Sequence, residues 1–196
     1  MEPAPVDADL WNAALSTWST TREKVLEHRF IAEVTAAIWS AGRFDFAVSH
    51  SEVDNSGYDV IIEVGAVTRH IQLKAMQSGG TRREFGLQVR LADKPSACAV
   101  LMIHDAKSLE VTQWRLFAGQ PGAPIPPLGD TPVKHTKGDR SGLKAVRPAL
   151  RNVGLSAFEP MTGTAELVLK LFGEEVALGM DRASAQDCPI RGEPCD

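Results

Sequence analysis

Four side chains in the first 80 residues are of types that can hold a hard cation and activate water: Glu27, Asp59, Gln72 and Lys74. An aspartate supplies a charged oxygen ligand and a glutamine an amide oxygen, and a backbone carbonyl plus waters complete the shell that Mg²⁺ prefers. A lysine beside them can stabilise a hydroxide nucleophile or the charge developing on a phosphate. In residues 57–75 three of these groups are spaced to converge. Val60, Ile62 and Val64 alternate with Asp59, Ile61 and Glu63; past Gly65, Ile71, Leu73 and Ala75 alternate with His70, Gln72 and Lys74. That period of two predicts a β-hairpin. A short loop centred on Ala66 and Val67 predicts pairing of 64 with 69, hence 59 with 74 and 61 with 72, with Asp59, Gln72 and Lys74 together on one face. The plainer alternative is a cross-strand ion pair of Asp59 with Lys74, worth roughly 0.2–1 kcal/mol, beside a merely polar Gln72.

The remaining acid must come from a neighbouring element. Residues 21–41, stopped by Gly42, read as a helix whose start can be capped from the Ser-Thr-Thr run at 19–21. At about 100° per residue, Phe30, Ile31, Val34 and Ile38 fall within roughly 60° of Glu27, whereas Glu33 lies about 120° away and is expected to face water. An acid on the core side of a helix is costly unless a partner or metal satisfies it, so Glu27 is the candidate. The alternative is favourable placement of Glu27 near the positive end of the helix dipole.

Asp59 followed by Gln72-x-Lys74 resembles the PD-(D/E)xK nuclease superfamily, in the variant with Gln in place of the second acid. The stretches Leu26-Glu27-His28-Arg29-Phe30 and Arg69-His70-Ile71-Gln72-Leu73-Lys74 also resemble uncharacterised bacterial proteins with that core. The resemblance implies a restriction-endonuclease-like α/β fold, a central mixed β-sheet flanked by helices. It also implies an acid on the first helix, an acid on the second strand and the (E/Q)xK pair on the third, serving a metal-dependent phosphodiesterase. Tyr58 stands where the superfamily has a loosely kept proline, and Gln72 lowers the charge of the metal site. Inactive members also occur.

A chain of 196 residues, 43% of them hydrophobic, is long enough for one domain with a substantial core. The expected organisation is an N-terminal segment with a short helix (1–19), a nuclease-like domain (20–179) and an acidic, disordered tail (180–196). No apolar run reaches membrane-spanning length and the N-terminus lacks a secretory pattern, so the reading is cytoplasmic, with no membrane partner. Cys98 lies in an apolar run, and Cys188 and Cys195 near the end lack the further ligands of a zinc site, which favours reduced structural thiols.

The net charge of −4 is not that of a typical nucleic-acid binder, but it is unevenly placed. Residues 134–151 carry six bases against one acid, and residues 174–196 six acids against two bases. Lys137, Arg140 and Lys144 lie in the basic stretch, and Arg82 and Arg83 follow the hairpin. All five are candidates for phosphate contacts, the alternative being solvated loops.

Elsewhere, Leu10, Trp11, Leu15 and Trp18 suggest a first short helix, and residues 44–48 a strand. His50 is read as solvated. Residues 84–91 alternate like a strand although the superfamily more often has a helix there. Residues 97–103 form a strand buried on both faces, with His104 and Asp105 as its terminus. Residues 109–117 are another strand, 119–129 a Pro/Gly loop, 147–153 irregular because of Pro148, and 165–178 a helix ended by Gly179. The favoured function is Mg²⁺- or Mn²⁺-dependent cleavage of nucleic acid, DNA before RNA, by a possible homodimer. The competing reading is a degenerate core that binds nucleic acid or protein, with bacterial defence as its setting.

Overall fold

In the computed structural model, which describes residues 8–50, 56–134, 144–173 and 175–176, the apolar run after Pro95 becomes the middle of a sheet. This strand (β5, Ala97–His104) is buried on both sides. Cys98, Val100 and Met102 enter one core, and Ala97, Ala99 and Leu101 enter the other. Around it stand β1 (Phe46–His50), β2 (Val60–Val64), β3 (Val67–Gln77), β6 (Val111–Ala118) and β9 (Glu159–Met161), in the order β1–β2–β3–β5–β6–β9. The β3–β5 pair is parallel and its neighbours antiparallel, so the sheet is mixed.

One face is covered by helices. α1 (Ala8–Thr17) and α2 (Ser19–Ser40) are nearly continuous, because the Trp18 N–H donates to Ala14 O at 2.9 Å and the Arg22 N–H to Trp18 O at 2.9 Å. Ser19 and the two threonines after it therefore lie inside α2 and do not cap it. Leu26, Phe30, Val34 and Ile38 bury the i, i+4 stripe of α2. α3 (Thr164–Phe172) packs beside it and ends at Gly173, whose φ of +57° suits glycine, earlier than the expected Gly179. The first strand also starts later than residue 44. Gly42 (φ +73°) and the Arg43–Asp45 pair occupy the helix exit, leaving Phe44 exposed, edge-on to Trp39 at 4.6 Å.

The opposite face is covered by a second antiparallel sheet. Residues 84–91 resolve into β4 (Glu84–Gln88) and a 3-10 turn (Val89–Asp93); β4 pairs with β8 (Val146–Gly154), which pairs with β7 (Pro132–Lys134). The crossover that returns the chain from β3 to the parallel β5 is thus a strand and a turn, where a helix is the commoner solution. Phe85, Leu87 and Leu91 fill the second core. Residues 147–153 are a strand after all: Pro148 sits where the β7–β8 register slips between Pro132↔Arg151 and Val133↔Arg147, a bulge that needs no proline N–H. The architecture is mixed α/β, a central mixed sheet flanked by helices on one side and a small sheet on the other. Among the described residues no helix is long and apolar enough to cross a membrane.

His104 is buried at the end of β5, with Nδ1 2.9 Å from Asp105 O. The Ser108 and Lys107 N–H groups close a turn on the Asp105 carboxylate and hold its pKa below the usual range. This is a strand terminus.

Burial pushes the Cys98 thiol up to about 12 from 9.0, with Arg69 opposing the shift. Below pH 9 the thiol is protonated folded or unfolded; between 9 and about 12 only the unfolded chain loses the proton, so stability falls as pH rises. Urea midpoints compared across that window should fall more steeply for wild type than for Cys98→Ala, by up to about 1.4 kcal/mol per pH unit. Parallel declines would contradict this.

Candidate active site

The hairpin sets the geometry. Val64 pairs with Val67 and Val60 with Ile71, around a two-residue turn whose Gly65 has φ +54°. The expected pairing of 64 with 69 is therefore displaced by two residues, and Asp59 does not stand opposite Lys74. The ladder ends at Val60, and Asp59 is one residue beyond it. Its N–H donates to Ile71 O at 2.9 Å, and its Oδ2 accepts the Leu73 N–H at 2.6 Å. One carboxylate oxygen thus replaces the strand that β3 has lost on this edge. Gln72 and Lys74, two residues apart on β3, share a face whatever the register with β2.

Gln72 is 5% exposed, and its Oε1 accepts the Gln88 N–H at 3.0 Å, fastening the end of β4 to β3. An amide oxygen has a second lone pair, so this bond does not exhaust it. Lys74, two residues along β3, is half-buried.

Glu27, on α2, has a side chain only 15% exposed. Its carboxylate is met by Lys24, whose Nζ lies 3.1 and 2.9 Å from the two oxygens, and by His50 Nδ1 at 3.3 Å. The hydrogen bond and charge of Glu27 raise the Lys24 pKa, and Asp59 adds a smaller contribution. Glu33 does not simply face water: it lies 3.7 Å from Arg29 and 3.4 Å from the Thr164 hydroxyl, linking α2 to α3.

Glu27, Asp59, Gln72 and Lys74 all line one cleft of about 580 Å³, together with Lys24 and His50. Arg82 is on its rim, with its guanidinium 5.7 Å from the Phe85 ring centre. Arg83 is exposed but does not line the cleft, and its carbonyl accepts the Leu155 N–H at 2.7 Å. Lys144 is exposed near the start of β8. Lys137, Arg140, Cys188, Cys195 and the acidic tail lie outside the described residues. Among the described residues no three or more His, Cys, Asp or Glu side chains cluster, so the oxygen set here is two acids and an amide.

Lys24 and His50 are cleft residues that the sequence reading did not place there. Lys24 precedes Glu27 by three positions, a spacing that brings two helical side chains together, so that signal was available. His50 is expected to be solvated, because nothing in spacing links the end of β1 to α2.

No family model and no curated protein sequence matches the chain. Among solved structures, a Holliday junction resolvase from the archaeal hyperthermophile Archaeoglobus fulgidus is similar at 16% identity and a TM-score of 0.34, over 72% of this chain and 98% of that one.

Proposed function

We propose that the protein is a metal-dependent nuclease that hydrolyses phosphodiester bonds in nucleic acid, DNA foremost, with this cleft as its active site. The observation that supports the reading is convergence: a helix carboxylate, a carboxylate at a strand end and the amide–lysine pair of the neighbouring strand line one cavity. The donors are hard oxygens, and Mg²⁺ is commonly held by one or two carboxylates with several waters. Asp59 and Gln72 would hold Mg²⁺ or Mn²⁺, with Glu27 reaching it through water or ordering the nucleophile. When bound, the ion supplies Lewis acidity at the phosphate and eases deprotonation of water. Lys74 positions the attacking oxygen and stabilises charge on the phosphate. Arg82, Arg83, Lys137, Arg140 and Lys144 are assigned to backbone phosphates on charge. Cutting both strands of a duplex takes two such sites, which a homodimer would provide.

The test is incubation of the protein and its Lys74→Ala form with plasmid, linear and single-stranded DNA, in Mg²⁺ or Mn²⁺ and in chelator. Metal-dependent nicking by wild type alone is expected. Equal residual nicking by both forms would mark a contaminant and remove the proposal.

A second reading, a degenerate core that binds without cutting, is favoured by the Lys24 ammonium on both Glu27 oxygens. Lys24→Ala separates the two. In a nuclease it removes a cation competing for the site, and the Mg²⁺ concentration for half-maximal nicking should fall several-fold. In a binding module no Mg²⁺ concentration produces nicking in either form.

A further inference from the structure

We infer that the second sheet is a binding surface for the backbone of duplex DNA, leading it into the cleft. The binding stands on the observations below, and only its direction toward the cleft rests on the proposed nuclease activity. A groove of about 980 Å³ runs along β4, β7 and β8 and shares Lys74, Arg82 and Gln88 with the cleft. Among the described residues its charged lining is Lys74, Arg82, Lys134, Lys144 and Arg147 against the single acid Glu84. In a chain of net charge −4 this is a concentration of positive charge around one groove. Among the described residues no carboxylate forms an ion pair with Arg82, Lys134, Lys144 or Arg147. Those four cations are exposed.

The shape of the sheet distinguishes duplex from single strand. β4 pairs with β8 only from Leu150 onward, and at Val146 and Arg147 the hydrogen-bonded neighbour of β8 is β7, with the 3-10 turn after β4 also packed against β8. Lys134 pairs with Val146 and Val133 with Arg147 in this two-stranded ribbon, so a cation stands on each of its faces. The major groove of B-form DNA admits a two-stranded ribbon, whereas the A-form major groove of duplex RNA is too narrow. Single strands are usually held by stacking bases on aromatic side chains. Among the described residues the one aromatic side chain lining this groove, Phe85, is 1% exposed and packs against Phe158 at 5.6 Å. What remains for a ligand is positive charge, which suits a phosphate backbone.

The experiment is fluorescence anisotropy in chelator, so that no cutting occurs, with a short DNA duplex, its single strand and the matching RNA duplex over a salt series. The proteins are wild type and the triple variant Lys134→Ala, Lys144→Ala, Arg147→Ala; the substituted side chains are exposed, and circular dichroism checks the fold. The triple variant should bind the DNA duplex at least tenfold more weakly at low salt. Its slope of log K against log salt should be shallower by about 3, one counterion per lost phosphate contact. Unchanged affinity and slope would overturn the inference, as would wild type binding the single strand or the RNA duplex as tightly as the DNA duplex. Nuclease activity fails separately: a wild type that never cuts but shows this pattern leaves the binding surface standing, and a cutting enzyme whose triple variant binds normally does not.

Discussion

Asp59→Asn is expected to abolish cleavage, by on the order of 10³-fold, while leaving the fold intact. The substitution separates two jobs of one side chain. Asp59 Oδ2 takes the Leu73 N–H at 2.6 Å, on the edge where β3 has outrun β2. An asparagine amide oxygen can accept the same bond, so β3 stays anchored and the melting temperature should change by only a few degrees. The lost charge is what a divalent ion and its bound water require. Asp59→Ala removes both, leaves the Leu73 N–H without its acceptor, and should add a stability loss of about 1–3 kcal/mol. The measurements are plasmid nicking in Mg²⁺ and a thermal melt of each form. An Asp59→Asn protein that still cuts would reduce this carboxylate to a strand-edge hydrogen bond.

Arg69→Met is expected to be the most destabilising single change away from the cleft, costing about 3–5 kcal/mol. Arg69 is 0% exposed, and its guanidinium donates to four carbonyls: Leu171 O at 2.6 Å, Gly119 O at 3.1 Å, Lys170 O at 3.3 Å and Ser96 O at 3.5 Å. Two belong to the last turn of α3, where helix carbonyls lack partners within the helix and the dipole favours a cation. One side chain thus joins β3, the end of α3, and the loops at Ser96 and Gly119. Burial lowers its pKa, yet guanidinium remains charged at any ordinary pH. Methionine fills much of the volume but leaves these carbonyls without that donor. Lysine should not rescue, because one ammonium cannot span acceptors placed for a planar fork. Urea unfolding of wild type, Arg69→Met and Arg69→Lys measures this, and a loss under about 1 kcal/mol for Arg69→Met would refute it.

Arg69 also shows what a sequence withholds. It lies in the alternating stretch that announces the hairpin, but its four acceptors come from 27 to 102 residues away, and no local pattern points to them. The elements with strong periodicity are legible. The stripe of Leu26, Phe30, Val34 and Ile38 defines α2, the alternation about Val60 and Ile71 defines β2 and β3, and the apolar run at 97–103 defines β5. Details set by a single turn or bulge are not. The hairpin register depends on whether the loop has two residues or four, which residues 65–68 do not settle by themselves, and Pro148 is allowed in β8 only because the partner strand slips beside it. In the site, Asp59, Gln72 and Lys74 are readable because one strand period places two of them. The Lys24–Glu27–His50 contacts are only half readable: the i, i+3 spacing is local, whereas the approach of β1 to α2 is tertiary.

The hairpin's register is held at its glycine turn. A Cβ on Gly65 would collide with the Glu175 carboxylate and the Arg43 guanidinium, in a backbone conformation that L side chains rarely adopt. Those groups form an ion pair at 3.0 Å, with Arg43 also bound to Asp45 at 2.8 Å. The turn that sets the register of β2 and β3 is therefore packed against the Arg43–Glu175 ion pair.

The proposed chemistry requires a divalent ion bound by these oxygens. Crystals grown in Mn²⁺ and measured for its anomalous scattering test it most directly. The expected result is a peak in the cleft about 2.1 Å from an Asp59 carboxylate oxygen and the Gln72 Oε1, with Lys24 moved off Glu27. A cleft without a peak at saturating Mn²⁺, with the Lys24 ammonium still on both Glu27 oxygens, would contradict it.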